Sequence, residues 1–195
     1  MPIFFVKLTG IERSVEMVDL AKTKKINGFN PIIGDITSFK LPDQFDVVVS
    51  LFHVISYLTK NESLIACFKS AYKQLKPNGI FVFDVWYSPA VYYLKPETRI
   101  KRLENEEIAI VRLAEPTIET SKNMVAVNYE VLIKDKTTNI VETFKEEHLM
   151  RHFSIPEIKM LAEFTGFEVV VSEEFLSEKL PSETTWGICF ILKKR

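Results

Sequence analysis

Histidine is the side chain best suited to move a proton near neutral pH, and this chain has three, His53, His148 and His152. His53 follows a continuous apolar run, Phe45–Leu51. It can face a site or be a satisfied histidine at a strand end, and the second reading is favoured. His152 takes no assigned role. Two carboxylates stand where strand-like segments end: Glu12 after an apolar stretch, and Asp35 directly after Gly34. Trp86 and Tyr87 close another apolar run, Ile80–Val85. Aromatics there can cover the face of a sugar or nucleotide, or pack one layer on another. No pair of carboxylates is spaced for glycosidase or metal chemistry. Two cysteines, Cys67 and Cys189, are too few and too far apart for a disulfide framework or a zinc site.

The elements that must position these residues alternate in the first half. Ile3–Ile11 reads as a strand. Ser14 is placed to cap a helix that carries Glu16 and Asp19 early and Lys22, Lys24 and Lys25 late, and Gly28 follows it. Acid first and base last suit the helix dipole. Pro31–Ile33 is a short strand, and Phe45–Leu51 predicts a strand buried on both faces of a parallel sheet. Leu64, Ile65, Phe68, Ala71, Tyr72 and Leu75 share one helical face, and Pro77-Asn78-Gly79 ends that helix. Ile80–Val85 is the next buried strand. This alternation predicts a doubly wound α/β sheet, in which ligands sit outside the carboxyl ends of the strands. Glu12 is expected in that crevice.

After residue 96 the pattern changes. Val125, Val127, Tyr129, Val131 and Ile133 alternate with mostly polar neighbours, as in a half-buried antiparallel strand. Asp135–Asn139 reads as a loop, Ile140–Met150 as a returning strand, and Arg99–Leu113 as a further strand. Ser154-Ile-Pro-Glu157 then opens a helix ending at Gly166, with last strands at Phe167–Ser172 and Trp186–Leu192. The expected organisation is an α/β core at 1–96, an antiparallel insert at 97–152 and a return to the core at 153–195.

Composition narrows the classes. Hydrophobic residues make up 47% and charged residues 26%, so a packed domain is expected. A net charge of −1 provides no field to hold nucleic acid or an anionic membrane. No apolar stretch is long enough for an ordinary membrane span. The start lacks a signal-peptide pattern. Cys67 and Cys189 read as reduced core residues, and a cytoplasmic setting is the default.

Several segments in order resemble the class I S-adenosylmethionine-dependent methyltransferases. Thr9-Gly-Ile-Glu-Arg-Ser-Val-Glu-Met resembles their second strand and following helix, and Gly34-Asp35-Ile36 their third-strand motif. Phe45–Leu51 with Phe52-His-Val-Ile-Ser-Tyr-Leu58 resembles their fourth strand and its loop. Leu75-Lys-Pro-Asn-Gly-Ile-Phe-Val-Phe-Asp84 resembles their turn and fifth strand. Asp84-Val-Trp-Tyr87, Glu147-His148-Leu149 and Phe153 resemble the branch that methylates amino groups of nucleotide-linked deoxyamino sugars. The family's opening strand and glycine-rich loop have no counterpart here, since Gly10 is the only glycine before Gly28. Glycine lets a backbone approach the cofactor closely. The chain is therefore expected to be truncated, lacking the first βα unit.

The resemblance implies S-adenosylmethionine as cofactor and S-adenosylhomocysteine as product. It implies that Glu12 accepts from the ribose hydroxyls, Asp35 from the adenine amine, and Ile36 packs on the ring. Ser50, Leu51 and Phe52 would line the methionine side, Trp86 and Tyr87 the acceptor. His148, or His53, would orient the acceptor or take its proton. Methyl transfer from a sulfonium mainly needs alignment and exclusion of water. The expected partner is a small-molecule acceptor. The missing strand lies between the second and fourth, so those strands either meet or leave unpaired edges. Such edges predict a homodimer. A competing reading makes the chain an inactive methyltransferase-like binding or oligomerising module. A nicotinamide oxidoreductase is disfavoured, because pyrophosphate needs the absent glycine loop.

Overall fold

A computed structural model describes residues 7–195. Residues 1–6, which include Ile3–Val6 of the expected Ile3–Ile11 strand, lie outside the described residues. Strand β1 (Leu8–Glu12) leads through Ser14 into helix α1 (Val15–Thr23) and strand β2 (Phe29–Ile33). The Ser14 hydroxyl accepts the Met17 N–H at 3.1 Å, satisfying one of the helix's orphan donors. β1 and β2 pair in parallel as a two-stranded sheet of their own.

Strand β3 (Phe45–Ser50), a 3-10 turn at Val54–Tyr57, helix α2 (Asn61–Gln74) and strand β4 (Leu75–Tyr87) follow. β3 runs parallel to β4. The expected Pro77-Asn78-Gly79 turn falls inside β4. Leu75 already pairs with Phe45, the register resumes at Val47 and Ile80, and Asn78 takes φ 63° in the intervening bulge. β10 (Gly187–Lys194) lies antiparallel between β4 and β9 (Phe167–Glu174). Helix α4 (Ile155–Thr165) opens on Ser154 and ends at Gly166, whose φ of 93° is left-handed. A Cβ there would also meet Tyr72 Cε2 at 2.8 Å, so glycine is required twice over.

The core explains the helix periodicity. Phe68 and Ala71 of α2 and Ile158 and Ala162 of α4 are buried against Phe81, Phe83, Phe167 and Phe190. The Phe68 ring meets those of Phe81 and Phe83 edge-on at 5.4 and 5.3 Å. Cys67 and Cys189 are both free and buried, as expected, and burial pushes the Cys67 thiol up to about 12.

Helix α3 (Ser88–Tyr93), unforeseen in the sequence, leads to four antiparallel strands: β5 (Arg99–Glu104), β6 (Ile108–Glu119), β7 (Met124–Asp135) and β8 (Val141–Phe153). The single strand expected at Arg99–Leu113 is two. Asn105 breaks it by accepting the N–H groups of Glu107 and Ile108 at 2.9 and 2.7 Å. The end of β8 joins the larger sheet by pairing with Trp86 and Tyr87 of β4.

Two expectations about β3 resolve here. The strand is not buried on both faces. Val48 packs on the core, whereas Val47 and Val49 are 45% and 56% exposed. Among the described residues no helix covers that second face. The alternatives for these strand edges also resolve: β1 and β3 do not pair, and each keeps an unpaired edge among the described residues.

Candidate functional site

Glu12 and Asp35 close adjacent parallel strands, and the structure brings them together. The Gly34 N–H donates to the Glu12 carbonyl at 2.9 Å, tying the two strand ends. One Glu12 carboxylate oxygen accepts the N–H groups of Arg13 and Ser14 at 2.7 and 2.9 Å. The Asp35 carboxylate accepts from the Thr37 hydroxyl and N–H at 2.6 and 2.8 Å, with Arg13 Nε 3.8 Å away. These bonds, the Thr37 hydroxyl foremost, hold its pKa below the ordinary carboxylate value. Ile36 is half-buried on the main core.

The second wall is the end of β3. The Ser50 hydroxyl is buried with no hydrogen-bond partner among the described residues, an orphan polar atom at a strand's carboxyl end. Leu51 is half-buried. Phe52 and His53 then adopt left-handed φ values of 63° and 62° in succession, and Phe52 is 80% exposed. A non-glycine pair in that region stores strain. Asp84, which sequence reading passed over, holds the turn. It is 1% exposed and accepts the His53 N–H at 3.2 Å, and its Oδ2 lies 2.8 Å from His53 Nδ1. His53 is thus anchored at the strand end, with part of its ring still open. Among the described residues no hydrogen bond or ion pair joins this wall to Glu12 or Asp35.

Trp86 and Tyr87 sit where β8 joins β4, at the junction of the antiparallel strands with the core. Trp86 lies edge-on to Trp186 at 5.5 Å and to His53 at 6.2 Å, and packs with Val125 and Val127 of β7. Tyr87 packs on the main core. Both therefore join the antiparallel strands to the core.

His148 projects from β8 toward the same junction. The Tyr57 hydroxyl lies 2.8 Å from His148 Nδ1, and Glu146 Oε2 lies 3.2 Å from His148 Nε2. Tyr129 meets the imidazole edge-on at 4.9 Å, and the Arg112 guanidinium lies 5.2 Å from the Tyr129 ring centre. Burial, then Tyr129 and Glu146, push the Tyr57 hydroxyl pKa upward. Tyr57 lies within the Phe52–Leu58 segment that drew attention in the sequence, but nothing local marks it out. The third histidine, His152, is fully buried, 2.8 Å from the Ser88 hydroxyl. A concavity of about 440 Å³ lined by Glu115, Asn128, Tyr129, Glu130, Lys145, Glu146 and Glu147 lies on the antiparallel strands. By strand alternation Asn128, Glu130, Lys145 and Glu147 point to the face opposite Tyr129, Glu146 and His148.

Residues 3–83 match the family described as "Methyltransferase domain". A crystal structure of an S-adenosylmethionine-dependent methyltransferase from Clostridium acetobutylicum superposes with a TM-score of 0.80 at 20% identity, covering 95% of this chain and 74% of that one. Over residues 3–83 the sequence is thus similar to methyltransferases, and the fold is that of the Clostridium structure. The sugar N-methyltransferase KedS8 of Streptoalloteichus shares that fold, with a TM-score of 0.79 at 22% identity over 96% of this chain and 70% of its own. Among sequence relatives, the Bacillus subtilis protein described as a methyltransferase, YqeM, is 27% identical over 169 residues, 84% of this chain and 65% of its own. The dTDP-3-amino-3,4,6-trideoxy-alpha-D-glucopyranose N,N-dimethyltransferase of Streptomyces venezuelae is 32% identical over 83 residues, 43% of this chain and 35% of its own. The chain thus spans between about a third and two thirds of these relatives' lengths.

Proposed function

We propose that the chain is an S-adenosylmethionine-dependent methyltransferase acting on a small molecule, namely the amino group of a nucleotide-linked amino sugar. The observation that carries this reading is the pair of carboxylates, Glu12 and Asp35, on adjacent parallel strand ends within the segment that matches the methyltransferase family. Their donor-hungry oxygens suit a ribose and an adenine amine, with Ile36 beside the ring. The orphan Ser50 hydroxyl suits a polar atom of the same ligand, and Leu51 and Phe52 would flank its methionine part. Bound S-adenosylmethionine supplies a methyl group already on a sulfonium leaving group. The chain's own task is to hold the acceptor in line, exclude water and deprotonate an ammonium. His148 or His53 would serve the last step, and Trp86 and Tyr87 would border the acceptor. In this reading residues 97–152 form the acceptor side, packed on core segments 1–96 and 153–195. The sugar N-methyltransferases among the relatives support this acceptor class.

The open edges of β1 and β3 favour a homodimer, in which a second copy covers them. The two free, buried cysteines suit a reducing, cytoplasmic setting. No helix among the described residues is long and apolar enough to cross a membrane.

Calorimetric titration of the folded chain with S-adenosylhomocysteine tests the reading. Micromolar binding, weakened at least about tenfold by Glu12→Ala through loss of a charged hydrogen-bond acceptor, is the expected result. A folded sample that takes up no ligand at millimolar concentration would overturn it.

A further inference from the structure

We infer that Tyr57, His148 and Glu146 form a proton path that takes the proton from the acceptor's ammonium group, with Tyr57 the residue that meets the acceptor. The inference rests on the methyltransferase reading above and deepens it, since neither Tyr57 nor Glu146 stood out in the sequence. The three side chains come from separate places. Tyr57 lies in the turn after β3, on the α/β core. Glu146 and His148 are two residues apart on β8, so they share one face of the antiparallel strands. The tertiary fold joins them across the junction, at 2.8 Å and 3.2 Å.

One arrangement of protons satisfies every atom. The Tyr57 O–H donates to His148 Nδ1, and His148 Nε2–H donates to the Glu146 carboxylate. Glu146 then selects the tautomer, as a carboxylate does when it orients an imidazole. The Tyr57 oxygen keeps its lone pairs, and the residue is about half exposed. The other groups facing the path are Tyr129, edge-on to His148, and Arg112 beyond the Tyr129 ring. Tyr129 fixes the ring's tilt. The Arg112 guanidinium lies 5.2 Å from the Tyr129 ring centre.

The proton step balances without a co-reactant. An acceptor R–NH3⁺ gives one proton to the Tyr57 oxygen while Tyr57's own proton passes to His148 Nδ1. One N–H bond breaks at the acceptor, one forms on the imidazole, and the electron pair stays on the acceptor nitrogen as its lone pair. The imidazolium charge so formed faces the Glu146 carboxylate, and the proton later leaves to water. Tyr57 is the catalytic residue of this path, and Glu146 is a positioning residue.

Three variants, Tyr57→Phe, His148→Gln and Glu146→Gln, test it, each checked for folding by circular dichroism. Nitrogen-15 shifts of the His148 ring, assigned by their loss in His148→Gln, read the path without any turnover. The wild type is expected to carry its proton on Nε2, and Tyr57→Phe is expected to move the Nδ1 resonance. A proton found on Nδ1, or a Nδ1 resonance that Tyr57→Phe leaves in place, would overturn the proposal. Turnover with S-adenosylmethionine and a dTDP-linked 3-amino sugar is expected to fall roughly 100-fold in Tyr57→Phe and His148→Gln, the range of general-base catalysis. S-adenosylhomocysteine affinity should stay within about twofold of wild type, and Glu146→Gln should shift the ring to the other tautomer. A wild type that turns over with an unimpaired Tyr57→Phe overturns the path alone. A wild type that binds no S-adenosylhomocysteine overturns the methyltransferase reading itself.

Discussion

The buried histidine His152 makes the pH dependence of stability predictable. Its ring is fully buried, with Nδ1 against the Ser88 hydroxyl and Nε2 without a partner. Burial first, and the nearby Arg151 charge second, lower its pKa from 6.5 to about 4. A base whose folded pKa is depressed binds more protons when unfolded. Stability is therefore complete above pH 6.5 and drains away as pH falls toward 4. A shift of that size corresponds to about 3 kcal/mol. Carboxylates with lowered pKa, such as Asp35, act in a separate window, losing their contribution only below their ordinary value. Urea unfolding between pH 7 and pH 4 should show the decline in wild type, and His152→Phe should flatten it. An equal decline in both would refute the assignment. The same residue scale separates what sequence could suggest at the candidate site. Glu12 and Asp35 were legible because each closes a strand beside a recognisable segment. Asp84 and Tyr57 were not, because their partners, His53 and His148, lie 31 and 91 positions away.

At the scale of elements, β3 departs most from its sequence. A run of apolar residues says that a strand is buried, but not whether its own chain supplies both covering layers. Here the core takes up Val48 on one side, while Val47 and Val49 stand 45% and 56% exposed beside an edge that is unpaired among the described residues. If a second copy covers this face, Val47→Lys with Val49→Lys should convert a dimer to a monomer in light scattering. The isolated fold should change little, because surface substitutions usually alter stability by less than about 0.5 kcal/mol. A wild type that is already monomeric would remove the homodimer from the proposal. Elsewhere the local signals held. Ser14 and Ser154 cap α1 and α4, and Gly166 closes α4, because capping needs only neighbours in sequence.

In the molecule as a whole the antiparallel strands continue the core sheet through the β4–β8 pairing, at a junction that holds both tryptophans. Trp86 ends β4, Trp186 precedes β10, and their rings lie 5.5 Å apart against Val125 and Val127. Tryptophan fluorescence therefore reports the docking of the antiparallel strands on the core. If the junction makes the two parts one cooperative unit, urea transitions followed by fluorescence and by far-UV circular dichroism should coincide. An earlier fluorescence transition would show that the antiparallel strands undock first. The proposed site depends on this coupling, since His148 and Tyr57 stand on opposite sides of the junction.

By itself the sequence determined whatever depends on short-range order: the α/β alternation, the helix caps, the alternating strand at Val125–Ile133 and the order of segments that resemble a methyltransferase. Hydrophobic period and turn chemistry act over a few residues, and a single chain displays them openly. Only the tertiary structure decided that β1 and β2 stand apart from β3. It alone showed that β3 has one bare face, that Asp84 clamps the strained Phe52-His53 turn, and that Tyr57 reaches His148. Each of these depends on which distant surfaces meet, and that follows from packing the whole chain, which no local pattern encodes.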